Sequence, residues 1–442
     1  MSKILQFKWS KRKGALVATV STILVVAGGS LYYEISPKLF ITQSLLIMGT
    51  AITGQLYHQE LEEAWDIAKN YQLGHPSNED ERPEDTWRNI NSDQNNLIFG
   101  HYIGATYTQL HFPFIFEDRN SEYLELLRER SDIVSLAKSG NSEYESMLNV
   151  AAWMGQLWDH GMDPPPPDGK QNFKILDLID AGSKGASFWC EVSARATTQV
   201  ASALGWPSRL ITLSARGYNW QHAVAEFWSN QFSKWFIVDT DFNVVYESDG
   251  IPLSAYELIH YGWRLKDMGK LTVRQFAPMK PFFKKRHGSL SEIGRLYQLE
   301  YNYAHFDMRN DWASRQLNRG SPAGGALATY YTSNDLIPEV YNRYKKAENQ
   351  SIFDWPVNMV EIHLSQWGVQ KNKIEITLEY KAFGPYVQYL ETKLNDGEWT
   401  RTEYGTNMLQ LDDGYQKLQA RLVLENDARG PTSIVTFNTS SK

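Results

Sequence analysis

The spacing of hydrophobic and polar positions changes several times along the 442-residue chain. In "SEYESMLNVAAWMGQLWDHG" the apolar residues recur at intervals of three and four, which predicts an amphipathic helix. A second helix is predicted from about Cys190 to Leu204. It should end at Gly205, because glycine favours the left-handed backbone that terminates helices and the helix breaker Pro207 follows.

The segment after this second helix has the alternating pattern of strands. "SRLITL" predicts a strand, and "HAVAEFW" and "KWFIVDTD" predict the two strands of an antiparallel hairpin joined by a short polar loop. We assume a register in which Trp228 pairs with Ser233. That register places His222 opposite Asp239, with Cβ atoms about 5 Å apart on one face of the sheet.

The last ninety residues or so are dominated by short strands. "NKIEITLEYKA" alternates apolar and polar residues, and the Asn-Asp-Gly of "YLETKLNDGEWTRTE" is a hairpin signal. Several short strands at regular spacing predict a small β-sandwich of immunoglobulin-like type over residues 351–442.

The N-terminal stretch "ALVATVSTILVVAGGSLYY", from Ala15 to Tyr33, carries no charge and is about long enough to cross a bilayer as a helix. Basic residues precede it, so the positive-inside rule predicts a cytoplasmic N-terminus and an exported remainder. A shorter apolar stretch, Leu39 to Gly54, is broken by polar residues, and we expect it to lie on the membrane or on the protein. If it spans instead, the remainder of the chain returns to the cytoplasm.

These patterns together predict an α+β protein in which helices pack on an antiparallel sheet. The predicted organisation is a cytoplasmic tail and single-pass anchor (1–35), a mostly helical and polar region (36–130), the α+β core (131–275), a connector (276–350) and the β-sandwich (351–442).

The net charge and the cysteine content limit the functions that this chain can have. The 51 acidic and 44 basic residues give a net charge of −7, so the chain has no electrostatic reason to bind nucleic acid. Cys190 is the single cysteine, which excludes an intramolecular disulfide. It is either a buried side chain without a chemical role or a thiol that takes part in chemistry.

The position of Cys190 favours the second interpretation. Unpaired N–H groups and the macrodipole at a helix N-terminus favour a thiolate. A nucleophilic cysteine also needs a base and a group that orients the base, and the hairpin supplies His222 and Asp239 for these roles.

These motifs, in this order, resemble the transglutaminase-like superfamily, relatives of the papain-type cysteine proteases. The resemblance covers roughly Tyr144 to Tyr256 and rests on the cysteine that begins a helix, "ALGWPSRL", "HAVAEFW" and "WFIVD". It implies a papain-like fold in which Cys190 is the nucleophile, His222 the general acid and base, and Asp239 the residue that orients His222.

The sequence says less about the oxyanion hole, the donors that stabilise the negative oxygen of the intermediate, than about the three residues above. The backbone N–H of Cys190 is one donor, and the resemblance implies a further upstream side chain. The upstream candidates for this second donor are Trp153, Gln156 and Trp158, and we predict that it is Trp153. No paired C-x-x-C occurs, and we expect neither a metal nor another cofactor.

The expected function is that of a membrane-anchored thiol enzyme, exported to the periplasm or the cell exterior, that acts on amide bonds in protein, peptide or cell-wall material. Hydrolysis is favoured over cross-linking because an exported site is open to water. The alternative is a non-catalytic envelope protein that uses the same fold to bind a polysaccharide or protein partner.

Overall fold

The computed structural model of the protein describes residues 82–89, 96–166, 174–215, 221–290, 301–314, 327–334, 344–371 and 373–441, with a few positions between 62 and 73. The predicted anchor at 15–33 and the apolar stretch at 39–54 lie outside the described residues. Within the described part of the chain, no helix is long and apolar enough to cross a membrane. The chain divides after Gln59, and the described helices and strands all belong to the unit from Glu60 to Lys442.

The described helices are short, and the longest of them begins at Cys190. In chain order they are α1 (Pro83–Arg88), α2 (Glu122–Arg130), α3 (Ile133–Leu136), α4 (Glu143–Gly155), α5 (Ile175–Gly182), α6 (Cys190–Ala203), α7 (Ala255–Asp267), α8 (Pro281–His287) and α9 (Gln350–Phe353).

Strands make up most of the remaining regular structure. They are β1 (Gln72–Leu73), β2 (Leu97–Ile103), β3 (Ser208–Ser214), β4 (His222–Ser229), β5 (Lys234–Val238), β6 (Val244–Ser248), β7 (Ile251–Pro252), β8 (Leu271–Gln275), β9 (Tyr303–Asp307), β10 (Ala328–Thr332), β11 (Tyr344–Lys346), β12 (Met359–Gln370), β13 (Lys373–Phe383), β14 (Val387–Leu394), β15 (Thr400–Thr402), β16 (Gly405–Leu411), β17 (Gly414–Leu424) and β18 (Ser433–Thr439).

A six-stranded sheet in the order β11-β10-β9-β3-β4-β5 carries the predicted site. Its described pairs are antiparallel except β10 with β11. The sequence treats residues 276–350 as a connector, yet β9, β10 and β11 of that segment extend this sheet. The pairing of β9 with β3 joins residues about ninety positions apart in the sequence, and local periodicity carries no signal for such a pairing.

Helix α6 packs across β3 and β4 of this sheet. It begins at Cys190 and ends before Gly205, as the sequence predicts. Trp189 precedes it in an extended conformation, and Gly205 has a φ of +74°, which glycine adopts without strain. Apolar residues of α4, α5 and α6 form one buried cluster with the facing side chains of β4 and β5, among them Val200, Phe227 and Phe236.

The C-terminal strands form two antiparallel sheets, one containing β12, β13, β16 and β1 and the other in the order β15-β14-β17-β18-β2. Both sheets contribute to one buried core that includes Ile376, Leu422 and Phe437. Strand β2 pairs with β18 along its length, and Trp87 of α1 is buried in the same core. Residues 97–103, which the sequence places in the N-terminal region, therefore complete a C-terminal sheet.

Candidate active site

Cys190 is the first residue of α6, and its side chain is half-buried. It packs against a small cluster formed by Ala194, Leu210, Ala223 and Trp312. The inert interpretation requires a thiol sealed in the core, whereas this one sits at a helix N-terminus, where unpaired N–H groups favour negative charge.

The hairpin predicted after α6 is present, but the assumed register is wrong by two residues. Trp228 pairs with Trp235 and Glu226 with Ile237, so Trp228 does not pair with Ser233. Because a shift of two residues conserves the faces of both strands, His222 and Asp239 still share a face. They are diagonal neighbours rather than directly opposed, and His222 Nε2 donates to Asp239 Oδ2 at 2.9 Å.

Both carboxylate oxygens of Asp239 accept hydrogen bonds. While Oδ2 accepts from His222, Oδ1 accepts from the backbone N–H groups of Asp241 and Phe242 at 3.0 and 2.9 Å. The residue is fully buried, in the turn that links β5 to β6. Two backbone donors fix the carboxylate plane, and that plane in turn fixes the orientation of the imidazole ring.

The Sγ atom of Cys190 lies within 4.8 Å of a ring nitrogen of His222. Burial by itself disfavours the imidazolium, but the charge and hydrogen bond of Asp239, together with Cys190, raise the pKa of His222 well above its usual value. The structure thus brings Cys190, His222 and Asp239 together, in an order that suits a thiolate–imidazolium pair.

A second carboxylate, Asp241, lies beside this chain and was missed by the sequence reasoning. Ligand atoms of Cys190, His222 and Asp241 lie within 4.8 Å of one another, a spacing that a metal ion could bridge. His222 Nε2 is already engaged by Asp239, and Asp241 Oδ2 is engaged by His160. We therefore interpret the group as a Cys–His–Asp triad with a neighbouring carboxylate.

The charge of Asp241 is shared with two basic groups. His160 Nδ1 lies 2.8 Å from Asp241 Oδ2, and the buried Lys280 Nζ lies 3.6 Å from Asp241 Oδ1. Burial lowers the pKa of Lys280, and the nearby carboxylates oppose that effect. If the observed register is extended beyond β5, Asp241 lies opposite His222. The correct register would therefore have identified Asp241 from the sequence. No local motif marks His160 or Lys280.

The predicted oxyanion residue, Trp153, lies near the C-terminal end of α4 and packs, partly buried, against the helical core cluster. Gln156 donates to the carbonyl of Ala152, and Trp158 Nε1 donates to Ser193 Oγ at 3.0 Å. The two weaker candidates are therefore engaged in local hydrogen bonds, and the role of Trp153 stays a prediction.

The hairpin also contains residues with structural roles. Glu226 is buried and accepts from Arg209 Nε at 2.7 Å and from the backbone N–H of Ala255 at 2.5 Å. Trp228 and Trp235 are almost wholly buried in the core. These residues stiffen the strand that carries His222 and do not line the site themselves.

Comparisons with known proteins add little. No family model and no curated protein sequence matches the chain. Among solved structures, a crystal structure of red sea bream transglutaminase is similar at 11% identity with a TM-score of 0.22, covering 80% of this chain and 78% of that one. A TM-score this low does not establish a shared fold.

Proposed function

We propose that this protein is a cysteine-dependent enzyme of the transglutaminase-like type that cleaves amide bonds by acyl transfer. The observation that carries the proposal is the proximity of Cys190, at the N-terminus of α6, to His222, which is itself hydrogen-bonded to Asp239. A non-catalytic binding protein has no use for an imidazole that lies beside a partly buried thiol and is held by a buried carboxylate.

The proposed reaction begins with the thiolate of Cys190 and the imidazolium of His222. Sγ attacks the amide carbonyl carbon, and the carbonyl π electrons move onto the oxygen. The tetrahedral intermediate collapses as the imidazolium gives its proton to the departing nitrogen, which leaves a thioester on Cys190 and a neutral His222. Water then attacks the thioester while His222 takes its proton, and collapse returns the thiolate, the imidazolium and a carboxylic acid product.

Asp239 takes no proton in this scheme. Its charge stabilises the imidazolium, and its hydrogen bond directs the other ring nitrogen towards Sγ. The turn that fixes Asp239 to the backbone of Asp241 and Phe242 therefore acts on the chemistry through His222.

Water is proposed as the usual acceptor, because the thiol is only partly buried and a competing amine must be held tightly to exclude water. The proposed substrates are protein, peptide or cell-wall amides. We further propose that the N-terminal apolar segment anchors the enzyme to a membrane with its site exported, and that an immunoglobulin-like C-terminal sandwich positions the substrate or a partner.

The full-length chain should be incubated with dimethylated casein, whose lysines are blocked, and with dansylcadaverine. Ammonia release, new amino termini and dansyl incorporation distinguish deamidation, proteolysis and amine transfer. We expect one of the first two to dominate and Cys190→Ala to abolish it with an unchanged melting temperature. Equal activity in Cys190→Ala contradicts the mechanism. If neither the parent chain nor Cys190→Ala is active on casein, an isolated cell-wall fraction replaces casein as the substrate.

A further inference from the structure

Helix α8 ends in a run of basic residues, three of which point into solvent. Lys284, Lys285 and Arg286 are exposed, and none of them forms an ion pair within the part of the chain that the structure describes. We call these three residues the basic patch. Because the chain as a whole has a net charge of −7, the patch creates a local field opposite in sign to that of the protein.

Aromatic contacts place this helix beside the catalytic imidazole. The ring of Phe242 lies 4.9 Å from the ring of His222, between centroids, and 4.1 Å from the ring of the buried Phe283 of α8. His287, at the end of α8, lies 6.2 Å from the same Phe242 ring. One phenylalanine ring therefore separates the last turn of α8 from His222, and Arg286 is the residue next to His287.

Both ends of α8 are fixed. At its start, the backbone N–H of Phe282 donates to Asp159 Oδ1 at 3.3 Å, and the ring of His160 contacts those of Phe282 and Phe283 at 4.6 and 4.7 Å. At its end, Gly288 has a φ of +72°, a left-handed backbone that glycine adopts without strain. The basic patch is therefore held in a defined position relative to the site.

The charges inside the site do not attract an acidic ligand. Asp239 and Asp241 are both buried beside the triad, and the proposed thiolate of Cys190 adds a further negative charge. Lys280 is buried as well, and its Nζ lies 3.6 Å from Asp241, so its charge is spent on that carboxylate. Any preference of the site for acidic molecules has to come from the basic patch.

We propose that the basic patch binds acidic side chains of the substrate, so that the enzyme acts on amides within acidic stretches of a peptide or protein. This inference rests on the proposed function and names the substrate class of the same site. Lysine and arginine form charge-assisted hydrogen bonds with carboxylates, and arginine can bind one through two parallel bonds. Since an extended chain spans about 3.3–3.6 Å per residue, the acidic residues should lie about two to four positions from the reacting amide.

Affinity labelling of the single cysteine tests this proposal without a known substrate. The full chain is alkylated with three probes, iodoacetyl-Gly-Gly-Glu-Glu amide and its Gln-Gln and Lys-Lys counterparts, at low ionic strength. We expect the acidic probe to react about tenfold faster than the neutral probe, and the basic probe to be no faster than the neutral one. Addition of about 0.5 M NaCl should remove most of the difference, because salt screens exposed charges.

Two pairs of substitutions identify the residues responsible. Lys284→Gln with Arg286→Gln should reduce the ratio of acidic to neutral labelling rates to about twofold or less, and the two glutamate substitutions at the same positions should make the acidic probe the slower one. Lys345→Gln with Lys346→Gln is the matched control. These exposed lysines of β11 lie at the edge of the six-stranded sheet farthest from β4 and β5, and their removal should leave the ratio unchanged.

Equal rates for the acidic and neutral probes in the parent chain overturn the proposal, as does a ratio that survives both pairs of substitutions in α8. A ratio lost equally in the β11 control also overturns it, because the preference then comes from the overall charge. Slow labelling by all three probes contradicts the proposed function, and the role of the patch falls with it. Fast labelling at equal rates contradicts the role of the patch alone.

Discussion

Asp239 shows how a single residue connects the local structure to the chemistry. Its position at the end of a strand exposes backbone N–H groups of the following turn, and these groups hold one carboxylate oxygen while His222 takes the other. An asparagine of the same shape can keep only part of this pattern, because its amide nitrogen donates and carries no charge to stabilise the imidazolium.

Asp239→Asn should therefore retain the fold yet slow amide turnover by about 10⁴-fold, the loss seen when the corresponding carboxylate of a serine-protease triad is replaced in this way. Turnover by the full chain and the melting temperature are measured together. Asp249→Asn, at an exposed carboxylate on the loop after β6, is the matched control and should be neutral. A variant at position 239 with more than a tenth of the parent activity contradicts the assigned role.

At the scale of elements, Arg209 of β3 joins the six-stranded sheet to the start of the C-terminal region. Its guanidinium donates to Glu226, to the carbonyl of Phe353 at 2.5 Å and to Asp354 at 3.0 Å. Aromatic rings surround it at 4.4 to 5.0 Å from its central carbon, those of Trp235, Phe306, Phe353 and Trp355. Burial and the charge of Glu226 raise the pKa of Asp354 to about 7, and Arg209 opposes that effect.

Arg209→Met should destabilise the protein by about 3–5 kcal/mol, because removal of one partner leaves buried carboxylates without their counter-charge. Urea denaturation gives the free energy of unfolding. Adding Glu226→Gln to the Met variant should recover part of the loss, since one of those charges is then gone. A loss below about 1 kcal/mol, the range of exposed ion pairs, contradicts the structural role of this cluster.

The helix and hairpin that carry the site could be predicted from the sequence because their signals are local. Gly205 and Pro207 mark the end of α6, and alternation marks both strands. The register could not be predicted, since "SNQF" and "NQFS" are equally acceptable loops, and the structure uses the second, with Trp228 packed against Trp235. Asp241, His160 and Lys280 reach the site from separate elements, and the sequence carries no local signal for such convergence.

At the scale of the whole described unit, Glu117 lies where several segments meet. Its side chain holds Ala313 and Ser314, its backbone N–H donates to Asn310, and its carbonyl accepts from the hydroxyl of Tyr386, which lies between β13 and β14. Burial raises the pKa of Glu117 to about 7, while the hydrogen bonds from Ser314 and Ala313 oppose the shift.

A carboxyl whose pKa is higher in the folded state favours folding when protonated. The folded protein therefore binds more protons than the unfolded chain between about pH 4.5 and 7, and stability falls as the pH rises through that window. The full effect is about 3 kcal/mol. Glu117→Gln should flatten this decline, as measured by urea denaturation at pH 5 and pH 7.5. Glu84→Gln, at an exposed ion pair, should leave the decline intact. An equal slope in Glu117→Gln and the parent contradicts the assignment.

The most direct test of the central claim is the pH dependence of iodoacetamide alkylation in the full chain, where the single cysteine makes the reaction specific for Cys190. If His222 and Asp239 hold a thiolate–imidazolium pair, alkylation stays fast well below pH 8.5, about where a free cysteine ionises, and His222→Ala abolishes this low-pH reactivity. Slow alkylation that follows ordinary thiol ionisation and is unchanged in His222→Ala contradicts the triad and favours a non-catalytic binding protein.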